Sequence, residues 1–160
     1  MTDQLRSIRP MVVAGLFIGV GMGGFVNGIV LHQIAQVHSM LSARVPLDSM
    51  AGMRTNMTAD GVFHAGMWGA VMIGVALLFN AGTRADVHWS GRALVGSLLA
   101  GWGVFNVVEG VIDHHLLHLH HVVERLGPSI WDWLFLGGSV VLIGAGLLIV
   151  RSVRNGVNQS

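Results

Sequence analysis

Apolar residues along this chain gather in four long runs separated by short polar stretches. They do not alternate as in half-buried strands. The runs extend from about Met11 to Gln36, from Gly61 to Phe79, from Ala93 into the histidine-rich stretch near His121, and from Trp131 to Val150. A hydrocarbon core about 30 Å thick is crossed by about 20 helical residues, so each run is long enough to span it. The pattern predicts an all-α, integral-membrane four-helix bundle, read as a single domain over residues 1–160. The first run follows Arg6 and Arg9, as the apolar part of a signal peptide would. Its apolar stretch is too long for one and no small-x-small cleavage pattern follows, so it reads as a retained anchor.

Arginine placement sets the expected orientation. Arg6, Arg9, Arg84, Arg92, Arg151 and Arg154 flank one side of the four spans, and Arg44, Arg54 and Arg125 the other. The excess on the first side predicts that both termini are cytoplasmic. Within the first span Gly15, Gly19 and Gly23 recur every fourth residue, as do Gly24 and Gly28. This spacing suits close helix packing in lipid and, through Gly-rich faces, homo-oligomerisation. Gly19-Val-Gly-Met-Gly-Gly24 also fits the dinucleotide fingerprint, but it lies inside a span with no strand before it, so packing is the better reading.

Composition sharpens the picture. Only 11% of residues are charged, against about 25% in an ordinary soluble domain. Lipid is therefore the expected surroundings, and the net charge of +1 gives no patch for nucleic acid. The absence of cysteine excludes disulfides, thiolate metal sites and thiol nucleophiles. Lysine and tyrosine are also absent, which removes Schiff-base and tyrosyl chemistry. Histidine, in contrast, occurs nine times.

The ionisable residues converge on one face of the membrane. The first span ends outward with His32, Gln33, Gln36 and His38; the second begins there with Asp60 and His64. The third ends with Asn106, Glu109, Asp113, His114, His115, His118, His120 and His121, and the fourth begins with Asp132. On the cytoplasmic side stand His88, Asp3 and Asp86. Counted from Arg92, Glu109 lies about 25 Å across the bilayer, where a carboxylate is costly unless paired, protonated or bound to metal. At 100° per residue Asn106, Glu109, Asp113 and His120 share a helical face, with His114, His118 and His121 beside it and His115 nearly opposite. His32, Asp60, His64, Glu109, Asp113, His114 and His121 are therefore expected as metal ligands. His38 and His120 are placed nearer water as access or outer ligands. Asn27, Asn106 and Gln36 are expected to orient imidazoles by hydrogen bonds.

Carboxylates mixed with imidazoles in a helical bundle suit a copper or iron site, mononuclear or dinuclear, and zinc fits the same ligands. Met40, Met50, Met53 and Met57 in the outer loop add thioethers, which favour Cu(I). The expected function is a copper- or iron-dependent membrane oxidoreductase. The alternatives are a copper- or zinc-delivery protein and, less well matched to the carboxylates, a b-type haem carrier.

The strings Gly24-Phe-Val-Asn-Gly-Ile-Val-Leu-His-Gln33, Asp60-Gly-Val-Phe-His-Ala65 and Gly101-Trp-Gly-Val-Phe-Asn-Val-Val-Glu-Gly-Val-Ile-Asp-His-His115, continued through His120-His121 and Trp131-Asp132, resemble a bacterial family of small four-span membrane proteins, domain of unknown function 2243. The resemblance covers nearly the whole chain. It implies a four-helix protein of the bacterial inner membrane and carries no established activity. Members of that family often have Asp where this chain has Asn27 and a small residue where it has His118, which ranks His118 low as a ligand.

Overall fold

Backbone amides inside a bilayer find no water, so a spanning chain satisfies them within its own helices. The computed structural model describes residues 7–157, and among these every long element is helical. Asp3 and Arg6, used above, lie outside the described residues. Helix α1 (Arg9–Val26) starts with Pro10 in its first turn and runs without a break into a π-helical segment, Asn27–Ile34. Helix α2 is Met50–Gly82, and α3 (Gly91–Glu109) continues into a second π-helical segment, Gly110–Leu116. Helix α4 is Ile130–Val157. Ser49 and Ser90 cap α2 and α3, their hydroxyls accepting from the backbone N–H of Gly52 and Ala93, which satisfies a donor the helix leaves free. Each of the four helical stretches is long and apolar enough to cross a membrane.

Two boundaries differ from the sequence expectation. Helix α2 begins well before Gly61, so Met50, Met53 and Met57 lie on the helix itself and are exposed. The third helical stretch ends at Leu116, not near His121. His118, His120 and His121 therefore sit on a loop, and the shared face drawn for them on a straight helix does not exist.

Helices α1 and α3 form the central pair, with α2 packed on α1 and α4 on α3. Glycine makes this possible. A methyl group at Gly19 would collide with the carbonyl of Leu98, and one at Gly101 with the carbonyl of Leu16. On the flanks, Gly21 lies against Met67 and Gly103 against Ser139, while Gly74 lies against Ala14 and Gly146 against Gly96. These contacts come in matched pairs: the first half of the chain does to itself, and to the second half, what the second half does in return. Reciprocal contacts of this kind mark a two-fold relation, here between α1–α2 and α3–α4. The glycines of the apparent dinucleotide fingerprint, Gly19, Gly21 and Gly24, are all spent on helix packing. The outer faces of α2 and α4 carry exposed Val62, Trp68, Phe79, Trp133, Val141 and Leu148, an apolar surface suited to lipid.

Gly19→Ala and Gly101→Ala should each lower the melting temperature in detergent, because backbone rather than a flexible side chain blocks the added carbon; overpacking of this type costs about 1–3 kcal/mol. Gly144→Ala, which meets nothing within 4 Å, should leave melting unchanged or raise it. Thermal unfolding followed by circular dichroism checks both.

Candidate metal centre

The switch from α to π geometry at the C-terminal ends of the central helices sets up the site. A π-helix is rare and often marks function. Here each π segment is followed by a residue in the left-handed region, Gln36 (φ 51°) after the first and His118 (φ 48°) after the second. The chain thereby folds back over the bundle end and carries His38 and His120 inward. The first loop is fastened to α2 by buried Asn56, whose Oδ1 accepts from the Leu41 N–H at 2.9 Å and whose Nδ2 donates to the Val45 carbonyl at 2.9 Å.

Three imidazoles are oriented by one device. His32 donates from Nδ1 to Asp60 Oδ1 at 2.9 Å, His38 to the Val122 carbonyl at 3.0 Å, and His120 to the Met40 carbonyl at 3.1 Å. A carbonyl or carboxylate oxygen accepts only, so Nδ1 holds a proton in each ring; the buried Nε2 atoms of His32 and His38 are left as bare lone pairs, while His120 Nε2 faces a carboxylate. Partners of this kind fix the tautomer of metal-ligating histidines. The rings pack closely, with centroids 4.5 Å apart for His32–His38 and 4.6 Å for His38–His120. All three are buried. Burial pushes the His38 imidazole down to about 3, with His120 and His32 adding to the effect, so it is neutral at physiological pH.

Glu109, 5% exposed, stands across from them. Its Oε1 accepts from Asn27 Nδ2 at 3.1 Å and lies 2.9 Å from His120 Nε2 and 3.3 Å from His114 Nε2. Two acceptors face each other at His120 unless a proton or a cation lies between. Burial opposes charge on His120, but Glu109 outweighs it and holds that imidazole above its usual range. His114 Nδ1 is 3.1 Å from Asp132 Oδ1, so both of its nitrogens are within ion-pair range of a carboxylate, yet neither meets hydrogen-bond geometry. Asp60 and Asp132 are themselves tied to backbone, accepting from the N–H groups of Met40 and Val122 at 3.0 Å each.

Two groups of potential ligand atoms result, each within 4.8 Å: His32, His38 and His120, and Glu109, His114 and His120. His120 belongs to both. Within these groups His32 Nε2, His38 Nε2, Glu109 Oε2 and both His114 nitrogens are buried without a hydrogen-bond partner. Each such group costs about 1–3 kcal/mol if left unsatisfied, a large sum against a total stability of about 5–15 kcal/mol. Bare lone pairs and a carboxylate oxygen converging at this spacing fit the donor set of a transition metal with nitrogen and oxygen bonds of about 2.0–2.2 Å.

Of the residues expected from the sequence, the structure brings His32, Glu109 and His114 together with His38 and His120. The last two are the reverse of their expected place near water, because the loops fold inward. Asp60 reaches the centre as the hydrogen-bond partner of His32. His121 lies at the edge, 3.7 Å from Asp132. His64 is in neither group: its ring lies by Phe25 and Phe63, with Nε2 against Gly28. Asp113 is partly buried and also outside both groups. Asn27 does orient a site group, although that group is Glu109 rather than an imidazole. Gln36 lines an outer pocket. Asp132, which the sequence places in the polar layer, is the counterpart of Asp60. Its signal was present: Asn27-Gly28, His32 and His38 repeat as Glu109-Gly110, His114 and His120, 82 residues on, and Asp60 is matched by Asp132 in the following span.

The chain belongs to the family described as "Predicted membrane protein (DUF2243)", which it matches over residues 14–153. No curated protein and no solved structure matches it.

In protein free of metal, His38 should be the neutral Nδ1–H tautomer at neutral pH. Nitrogen-15 NMR of histidine-labelled protein distinguishes this from the Nε2–H form, which would place the lone pair on the wrong atom.

Proposed function

We propose that this chain is a membrane metalloprotein that binds copper or iron at the outer end of its bundle and serves as an oxidoreductase. The observation that carries the reading is the convergence of the Nε2 atoms of His32, His38 and His120 beside Glu109, each ring held from behind by an acceptor. Imidazole with a carboxylate is a donor set for copper, iron and zinc. A copper or iron ion would supply one-electron chemistry there, with one or two ions accommodated by the two ligand groups that share His120. The protein supplies a dry surrounding, a fixed tautomer and a cavity of about 550 Å³ that opens beside His32 and Asp60 between Leu47, Met53 and Met57. That mouth is apolar enough to admit a lipid-soluble substrate. The haem alternative is weaker, since rings with centroids 4.5–4.8 Å apart leave no slot for a porphyrin between them.

Metal delivery is the second reading, favoured by the histidines and exposed methionines around the outer openings. Both readings place the site on the periplasmic side of a bacterial inner membrane, following the arginine bias.

Elemental analysis of protein purified in mild detergent tests the proposal. Wild-type protein and His88→Ala should carry metal, and His38→Ala and His120→Ala should lose it. Asp60→Asn removes charge but keeps shape, and should weaken affinity about 10- to 100-fold. Chelation should lower the melting temperature, since metal at a hundredfold excess over Kd adds about 3 kcal/mol. Unchanged melting after complete chelation would leave a hydrogen-bonded plug as the better description. Turnover of O₂ with an apolar substrate separates oxidoreductase from carrier.

The orientation has its own test. Alkaline phosphatase fused near Ser49 should be active and fused after Ser160 inactive; the opposite pattern would put the site on the cytoplasmic side.

A further inference from the structure

The two halves of the bundle share one centre but open to the outside through separate mouths. The first is the 550 Å³ cavity beside His32, whose rim includes Gln33, Gln36 and Ser39. The second, about 350 Å³, lies beside His114 and Asp132 and its rim includes His115, His118 and His121. The repeat relates the two openings residue by residue. His32 corresponds to His114 and Asp60 to Asp132, and the left-handed residues Gln36 and His118 confirm the register. Gln33, Gln36 and Ser39 in one mouth are thus imidazoles in the other. The π segments and the left-handed turns that follow them match, although the link to the next helix is shorter in the second half, so these three histidines are not needed to build that shared stretch.

Their placement forms a graded path. His118 is exposed. Its ring is 5.9 Å from that of His121, which is 6.3 Å from that of His114, which is 4.8 Å from that of His120 at the centre. His121 is 6% exposed, and its buried Nδ1 has no hydrogen-bond partner although Asp132 Oδ1 is 3.7 Å away. His115 donates from Nδ1 to the Gly110 carbonyl at 2.9 Å, which leaves its Nε2 lone pair free, and its ring lies 6.5 Å from His114. Steps of this length let an ion exchange one imidazole for the next without release into lipid or water. At the three matching positions the first mouth offers amides and a hydroxyl, which are poor ligands for a divalent first-row cation, and the thioethers on its rim, Met53 and Met57, suit Cu(I) instead.

We propose that the second mouth is the metal-loading port of this protein: His118, His121 and His115 capture a divalent transition-metal ion and pass it, past Asp132, to His114 and the central site, leaving the first mouth for an apolar ligand. This rests on the metal-centre reading above and adds to it a direction of approach and residues with no part in the resident site.

The port is tested by the rate of loading, separately from the amount bound. Metal-free protein in detergent is mixed with Co(II) or Cu(II), uptake is followed by the ligand-field absorption of the bound ion, and final content is measured after long incubation. The variant H115Q/H118Q/H121S gives three positions of the second mouth the residues of the first, which the matching π segment and turn already carry. Capture at the port makes the next transfer intramolecular, so its loss should slow loading at least about tenfold. Final content and spectrum should equal wild type. The single change His118→Gln, at an exposed position, should slow loading in the same direction, and Q33A/Q36A in the first mouth should not. Equal rates in wild type and triple variant would overturn the port while leaving the central site intact. A folded triple variant that never reaches wild-type content would also overturn it, because the three histidines would then be resident ligands. Wild-type protein that takes up neither ion would overturn the port together with the metal centre.

Discussion

Each half of this bundle holds the other half's histidine. His38 donates to the Val122 carbonyl and His120 to the Met40 carbonyl, and those two acceptors lie two residues beyond the opposite histidine. The exchange does three things at once. It ties the loops that follow the two central helices to each other, satisfies backbone oxygens near the edge of a water-poor region, and fixes the proton on Nδ1. Everything at the centre depends on that last effect, because only a bare Nε2 can act as a ligand. Asp60 and Asp132 hold the loops from the flanking helices by accepting the N–H groups of Met40 and Val122. Removing one of these partners would free a ring and unpair backbone together.

Among the internal differences between the two halves, one has an electrostatic reason. Asn27 stands where the second half has Glu109, and its amide donates to that carboxylate at 3.1 Å. Two carboxylates at this separation in a region of low dielectric would repel strongly unless a proton or a cation lay between them. Pairing an amide with an acid keeps a single negative charge at this contact. The outer mouths differ in another sense: glutamine and serine on one side, histidine on the other. The repeat supplies common π segments and turns, and substitution along them makes the two openings chemically unlike.

The membrane and the site place opposite demands on the same helices. Lipid contact needs apolar outer faces, which α2 and α4 provide. The site needs the two central helices close enough for residues of both to share one small volume. Gly19 and Gly101 meet this need by bringing backbone against backbone at the crossing of α1 and α3. Farther out, the π turns re-aim His32 and His114 and start the inward fold of the chain. Close packing below and irregular geometry above are two parts of one arrangement.

Hydropathy is a local property of short windows, so the sequence alone determined the four spans, the helical class and the gathering of acids and histidines at one end. Glycine spacing likewise marked the packing faces, because helix periodicity in α1 is regular. It did not determine which histidines meet. Projection at 100° per residue put His120 on a face with Glu109 and Asp113 and left His38 near water. The π segments change the turn, and Gln36 and His118 reverse the chain, so that projection fails after Asn27 and Glu109. The internal repeat was legible in Asn27-Gly28-His32-His38 against Glu109-Gly110-His114-His120, but so few shared residues carry weight only when the contacts prove reciprocal. The geometry of the histidine cluster was decided in the tertiary structure, because each of its central imidazoles is oriented by an atom from a different helix or loop, and no spacing along one helix encodes a bond to another.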